Sequence, residues 1–288
     1  MDTQRIRKKE GNSMILITGG QGQLGTELRY LLDKKAVEYM AAGSDQLDVT
    51  DRQRTYQFIT QLKPAIIYHC AAYTAVDRAE GVDKELNEKI NVEGTRNVAE
   101  AAKAAGSILV YISTDYVFDG MKKAGSYQEE ELPNPINEYG RTKYLGEKIV
   151  EELLTEYYIV RTSWVFGRFG DNFVSTMRNL AETQTRLAVV EDQFGRPTWT
   201  RTLAEFMYFL IEQEAPFGVY QLSNENSCSW YEFAKEILKD TDVEIIPVAS
   251  KDYPQKAARP RTSTMDLSKA KALGFEIPTW QEALSNFK

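Results

Sequence analysis

The chain has 288 residues, of which 42% are hydrophobic and 27% charged, and a formal net charge of -7. This is enough chain for a full α/β core with one smaller lobe. The acidic balance argues against a nucleic-acid or anionic-membrane partner, because phosphate surfaces recruit basic ones. Two distant cysteines, Cys70 and Cys228, and a single histidine, His69, supply neither a disulfide framework nor a His/Cys zinc site, which fits a cytoplasmic protein.

Residues 1–13 are polar and basic with no apolar run, so a disordered tail is expected there, not a signal peptide. No apolar stretch reaches the ~18 residues that a membrane helix needs, and no membrane partner is expected. Residues 14–17 read as a short buried strand, followed by helical spacing over about 22–32. A strand fits 37–42 and a helix 51–62. Residues 65–70 read as a third strand, 91–105 as a helix stopped by Gly106, and 108–113 as a fourth strand. A helix over 139–153 and a strand over 157–160 follow. Strands separated by helices imply an α/β fold with a Rossmann-type, doubly wound parallel sheet.

Beyond about residue 165 the rhythm loosens, and Pro197, Pro216, Pro254, Pro260 and Pro278 punctuate short elements. Ser229 followed by Glu232 is a capping box that opens a helix through about residue 238. The expected division is a dinucleotide-binding part over 14–165 and, over 166–288, mainly a smaller C-terminal α/β substrate lobe. Later strands are allowed to return to the first sheet.

The first strand runs into Thr18-Gly19-Gly20-Gln21-Gly22-Gln23-Leu24-Gly25. Glycines in a turn between strand and helix let a pyrophosphate approach the backbone, where the helix N-terminus offers N–H groups. Two registers fit, Gly20/Gly22/Gly25 and Gly19/Gly22/Gly25. The acid that would hold a ribose 2′-hydroxyl is not clearly present at the end of the second strand, where Gly43-Ser44-Asp45 stands. Gly43 and Ser44 leave room for a 2′-phosphate and Asp45 opposes it, so the expected cofactor is NADPH, with NADH as the alternative. Asp48, beside Val49, is placed to accept from an adenine amino group; its other reading is a helix N-cap before Asp51.

Four Tyr-x-x-x-Lys pairs occur: Tyr30/Lys34, Tyr139/Lys143, Tyr144/Lys148 and Tyr231/Lys235. Spacing alone does not choose among them. Tyr139 opens a helix after the loop that follows the fourth strand and its Ser113-Thr114-Asp115 end, so only this pair meets the carboxyl edge of the sheet, where ligands bind. Reduction of a ketone needs a hydride and a proton. Tyr139 is the expected acid, Lys143 the cation that lowers its pKa, and Thr114 the hydroxyl that holds the substrate oxygen. His69, at the end of an apolar run, is expected to be a packed strand-end residue.

At these residues the chain resembles the extended short-chain dehydrogenase/reductase family over nearly its whole length from Met14. The strings that carry the resemblance are Gly22-Gln23-Leu24-Gly25, Cys70-Ala71-Ala72-Tyr73-Thr74-Ala75-Val76-Asp77, Ser113-Thr114-Asp115-Tyr116-Val117-Phe118, Tyr139-Gly140-x-x-Lys143, Arg161-Thr162-Ser163-Trp164, Asn172-Phe173, Asp192-Gln193-x-Gly195-x-Pro197-Thr198 and Ala258-Arg259-Pro260. The resemblance implies a dTDP-linked deoxy-keto sugar as substrate. The glycine turn places cofactor contacts at Gly19, Gly22, Gln23, Leu24 and Gly25, with Asp48 and Val49 after the second strand, and the resemblance adds Ala71, Ala72 and Thr74, shared with Tyr139 and Lys143. It implies Thr114, Tyr139 and Lys143 as the catalytic set. It places Asp115, Tyr116 and Trp164 on the deoxysugar, and Asn172 and Arg259 near the nucleotide diphosphate.

Some family members are magnesium-linked dimers built on glutamates. Glu27 matches one such position, but Arg201 stands where another glutamate would be, so no Mg²⁺ is expected and the choice between monomer and homodimer stays open. Two other functions use the same fold: a nucleotide-sugar epimerase or dehydratase, and a non-catalytic regulatory subunit.

Overall fold

The computed structural model describes residues 14–287; the expectation for residues 1–13 lies outside them. The first half runs β1 (Ile15–Thr18), α1 (Gln23–Lys34), β2 (Tyr39–Ala42), α2 (Arg52–Leu62), β3 (Ile66–His69), α3 (Val76–Ala79), α4 (Lys84–Glu88), α5 (Thr95–Ala105), β4 (Ile108–Thr114), α6 (Glu138–Leu153) and β5 (Tyr157–Thr162). The second half continues with β6 (Val165–Phe166), α7 (Phe173–Ala181), β7 (Arg186–Val190), β8 (Phe194–Gly195), β9 (Thr198–Trp199), α8 (Thr200–Glu212), β10 (Gly218–Gln221), β11 (Cys228–Ser229), α9 (Trp230–Ile237), β12 (Glu244–Val248), α10 (Ser268–Ala272) and α11 (Trp280–Asn286).

Six strands form one parallel sheet in the order β10-β5-β4-β3-β1-β2. Its strands are apolar on both faces, as a sheet covered by helices on both sides requires. Ile15, Ile17, Tyr68, Val110 and Val160 point to the layer that holds α1 and α8. Leu16, Ile67, Leu109, Tyr111 and Ile159 point to the layer of α2, α5 and α6. The chain reverses direction across the sheet between β1 and β3, and the carboxyl ends of these strands open a crevice there.

The second half both enters this sheet and builds its own unit. β10 pairs with β5, and α8 packs on α1. β12 pairs in parallel with β7, and α7 and α9 cover that pair. The capping box at α9 is present: Ser229 Oγ accepts from Glu232 N at 3.1 Å, and Glu232 Oε2 accepts from Ser229 N at 2.7 Å. Among the described residues no helix is long and apolar enough to cross a membrane.

Two local expectations change. The helix expected from residue 91 begins at Lys84 and passes through a π-helical turn at Lys89–Gly94. That turn directs Asn91 inward, where it accepts from Tyr73 N at 2.9 Å and donates to Tyr73 O at 3.1 Å, so a wide helical turn is kept by the loop it holds. The cap before α2 is Asp51, which accepts from Arg54 N at 3.0 Å. Asp48 is not a helix cap; it turns the preceding loop by accepting from Thr50 N at 2.9 Å and Thr50 Oγ1 at 2.8 Å.

Candidate active site

The carboxyl ends of the central strands open on a cleft of about 550 Å³. Gly22, Gln23 and Leu24 line one end of it. Ala72 and Thr74 line it after β3, Thr114, Asp115 and Tyr116 after β4, Tyr139 and Lys143 from α6, and Trp164 after β5.

The glycine turn is shaped for close approach. Gly19 has φ +64°, and a Cβ on it would lie 2.6 Å from Ala71 N. Gly25 presses onto the carbonyl of Gly19, and Gly22 is the uncapped start of α1, whose first turn carries no acid. Turn, cleft-facing and packing roles therefore fall on Gly19, Gly22 and Gly25. An uncapped helix start without acids fits a dinucleotide pyrophosphate. The loop after β3 forms the opposite wall: Ala71 packs against Gly19, and Asn91 holds Tyr73, so Ala72 and Thr74 face the cleft.

Asp48 is exposed on the β2–α2 loop, and Val49 is buried beneath Gly94. Neither lines the cleft. His69 is packed, as expected: its ring nitrogens meet Thr18 Oγ1 at 2.7 Å and Thr95 Oγ1 at 3.3 Å. Burial and the nearby Lys143 charge push its imidazole down to about 3, so it stays neutral.

Helix α6 starts at the N-cap Asn137, whose Oδ1 accepts from Gly140 N at 2.7 Å. A Cβ at Gly140 would fall 2.1 Å from Tyr116 O, so only glycine lets the helix start press onto the loop after β4. This brings Tyr139 edge-on to Tyr116, with ring centroids 6.0 Å apart. The Thr114 hydroxyl, in the same cleft as Tyr139, accepts from Tyr116 N at 3.2 Å and donates to Asp115 Oδ1 at 3.2 Å. Lys143 lies one turn further along α6, buried, with its Nζ 4.1 Å from the centre of the Tyr111 ring.

The sequence argument expects Lys143 to bring the phenol down. The structure corrects this. Burial dominates, pushing the Tyr139 phenol up to about 12 against the lowering effect of the nearby Thr114 hydroxyl. The ammonium faces Tyr111 instead, and burial pushes it down to about 7 against the pull of Glu147. Burial also raises the Asp115 carboxyl to about 7, opposed by hydrogen bonds from Ser263 and Thr114.

Trp164 adopts φ +47°, a left-handed conformation that costs a non-glycine residue about 1–3 kcal/mol. Its ring is held between Trp230, stacked at 3.6 Å and 8°, and Gly195, where a Cβ would meet the indole at 2.6 Å. Trp230 and Phe173 also wall a second cavity of about 220 Å³ with Asp77, Val190, Gln193 and Arg259. Arg259 grips Asp77 through two bonds of 2.7 and 3.1 Å, and Asp77 also accepts from Lys256 N and Ala257 N, each at 2.9 Å. The Arg259 hydrogen bond holds the Asp77 carboxyl down at about 2.

The structure thus gathers Gly22–Leu24, Ala72, Thr74, Thr114–Tyr116, Tyr139, Lys143 and Trp164 in one cleft and puts Arg259 in the adjoining cavity. Asn172 caps α7 and donates to Gln23 Oε1 at 3.0 Å and Gly167 O at 2.8 Å, so its amide steadies a cleft residue. Sequence reasoning missed Asp77, Phe173, Trp230 and Ser263 as site residues. A lone acid in the apolar string after β3 was the available signal for Asp77; its partner lies 182 positions away. Glu27 is buried on Thr200, and Arg201 pairs with Glu205. Among the described residues no three His, Cys, Asp or Glu side chains stand together as metal ligands.

The family model described as RmlD substrate binding domain matches residues 13–288. A dTDP-4-dehydrorhamnose reductase from Aggregatibacter actinomycetemcomitans is 37% identical, over 95% of this chain and 98% of the relative. One from Streptomyces griseus is 38% identical, over 94% and 91%. The crystal structure of dTDP-4-dehydrorhamnose reductase from Bacillus anthracis in complex with NADP superimposes with a TM-score of 0.92 at 41% identity, covering 96% of this chain and 98% of that one. The glycine turn, the Tyr139/Lys143 helix and this likeness along the whole chain agree, and the chain belongs to the dTDP-4-dehydrorhamnose reductase family.

Proposed function

We propose that this protein reduces the C4 keto group of dTDP-4-dehydro-L-rhamnose to give dTDP-L-rhamnose, in the cytoplasm, for polysaccharide biosynthesis. NADPH is the proposed cofactor, with NADH as the alternative. When bound, the dihydronicotinamide supplies the hydride. The observation that carries the reading is the convergence of Thr114, Tyr139 and Lys143 in the same cleft as Gly22, Gln23 and Leu24 of the glycine turn.

The Thr114 hydroxyl orients the substrate carbonyl toward Tyr139. A phenol held at about 12 is protonated throughout the neutral range. It still gives its proton readily to the alkoxide that hydride delivery creates, because an alkoxide is a far stronger base than a phenolate. Lys143 lies one turn further along α6 with its Nζ over the Tyr111 ring; poised at about 7, it is the proposed source of the proton that restores that phenolate. Residues 166–288 serve mainly as the substrate lobe. Asp115, Tyr116 and Trp164 take the deoxysugar, and the cavity at Arg259 and Asp77 takes the nucleotide, with Trp230 and Phe173 between them. Nucleic acid, membrane and metal have no part in this reading, and the protein acts as a monomer or homodimer.

The test is NADPH consumption with dTDP-4-dehydro-L-rhamnose, set against UDP-linked keto sugars. Turnover confined to the dTDP-linked substrate is expected; no cofactor oxidation would overturn the reading. Cofactor choice has its own test. Asp45, exposed beyond β2, accepts from Gln21 Nε2 at 3.2 Å. Removing this charge in Asp45→Ala is expected to raise the NADPH-to-NADH ratio of kcat/KM about 3- to 10-fold. An unchanged ratio would place the 2′-phosphate away from Asp45.

A further inference from the structure

One segment of the second half, residues 258–264, touches the loops and the helix start that flank the proposed catalytic set. Ala258 O accepts from Nδ2 of Asn137, the cap that starts the Tyr139 helix, at 2.8 Å. Arg259 grips Asp77. Pro260 and Arg261 pack so closely on Gly120 that a Cβ there would lie 2.6 Å from them. Thr264 O accepts from Tyr127 N at 2.8 Å. At the centre, the Ser263 hydroxyl donates to Asp115 Oδ2, with both residues buried. The other carboxyl oxygen, Oδ1, accepts from Thr114 Oγ1 at 3.2 Å, and Thr114 lines the cleft together with Tyr139. The backbone of Ser263 is itself fixed, its N–H donating to Phe194 O at 3.1 Å.

We propose that Ser263 is a positioning residue for the reduction: it holds the Asp115 carboxyl, and through it fixes the Thr114 side chain where it lines the cleft beside Tyr139. This rests on the reductase reading above. A carboxylate with one oxygen on Thr114 and the other on Ser263 cannot rotate, so Thr114 keeps one direction. Without Ser263 the carboxyl is free to turn and Thr114 loses its reference. The titratable neighbours of Asp115 are the phenols of Tyr116 and Tyr139, both pushed up by burial and so neutral when Asp115 titrates. The Ser263 hydrogen bond favours the carboxylate, so its loss raises the Asp115 pKa.

The test compares Ser263→Ala and Ser263→Thr in the full chain. The carboxyl titration of Asp115 is read by infrared difference spectroscopy, with Asp115→Asn as the reference that assigns the band. In Ser263→Ala the Asp115 titration is expected to move to higher pH. Its kcat should fall about tenfold with KM for both substrates little changed, the size of one lost hydrogen bond in a reacting geometry. Ser263→Thr, which keeps the hydroxyl, is expected to restore both. An Asp115 titration that does not move, or a kcat that does not fall, overturns the proposal. Wild-type protein that oxidises no NADPH fails the reductase reading itself, and the infrared arm still reports separately whether Ser263 holds Asp115.

Discussion

Tyr139→Phe is expected to lower kcat by about 10²- to 10⁴-fold while leaving NADPH affinity nearly unchanged. The substitution removes one oxygen and keeps the ring that meets Tyr116 edge-on, so the packing at the start of α6 survives. What is lost is the proton donor for the alkoxide. Thr114 remains, but a hydroxyl is a weaker acid than a phenol even when burial has pushed the phenol up to about 12. Stopped-flow measurement separates binding from chemistry: NADPH fluorescence should titrate as in wild type, and the hydride step should be slow. Turnover within a few-fold of wild type would remove Tyr139 from the reaction.

Glu147→Ala is expected to produce the largest stability loss among single changes near the site. Glu147 and Arg161 form a bidentate pair, with Arg161 Nε to Oε1 at 3.0 Å and Nη2 to Oε2 at 2.8 Å, and their side chains are only 1% and 4% exposed. Taking away one partner leaves an uncompensated buried guanidinium, which costs about 3–5 kcal/mol. On a chain of this size that lowers the unfolding midpoint on the order of 10 °C. The pair ties α6 to β5, and Arg161 Nη1 also donates to Glu129 O at 3.1 Å, so the loop before α6 loses its anchor as well. Glu147 holds the Lys143 charge up against burial, so its removal pushes Lys143 further below about 7. Activity that needs the charged lysine should then fall off at lower pH than in wild type. Calorimetry and a pH–rate profile on the same preparation check both effects; an unchanged midpoint would mean that the buried guanidinium finds another partner.

Much of this was legible in the sequence because the physics is local. A strand feeding a glycine turn and a helix leaves a recognisable spacing, and the Ser229/Glu232 box announced α9 within one residue of its end. Tyr139 could be separated from its decoys because the end of β4 and the loop after it place its helix start at the carboxyl edge of the sheet. What stayed hidden was contact across long separations. Arg259 finds Asp77, Ser263 finds Asp115, and Trp230 finds Trp164 only once the two halves close. The depressed phenol expected from Tyr-x-x-x-Lys spacing failed for a related reason. Spacing puts the two side chains on one face, but desolvation of both, opposed at Lys143 by the Glu147 charge, decides their charges, and neither is written in the interval. The π-turn at Lys89–Gly94 was equally unreadable, since its cause is the distant loop that Asn91 secures.

The position of β10 governs how this molecule can be made. It closes the edge of β5, and α8 covers the layer beside α1, so the sheet waits for residues that leave the ribosome late. Until Gln221 has emerged, a nascent chain presents an unpaired β5 edge and an uncovered apolar face, both open to pairing with other nascent chains. Completion of the six-stranded sheet is thereby tied to synthesis of the second half of the chain. Translation pauses or early termination in the second half should feed aggregation and chaperone load instead of yielding a stable fragment.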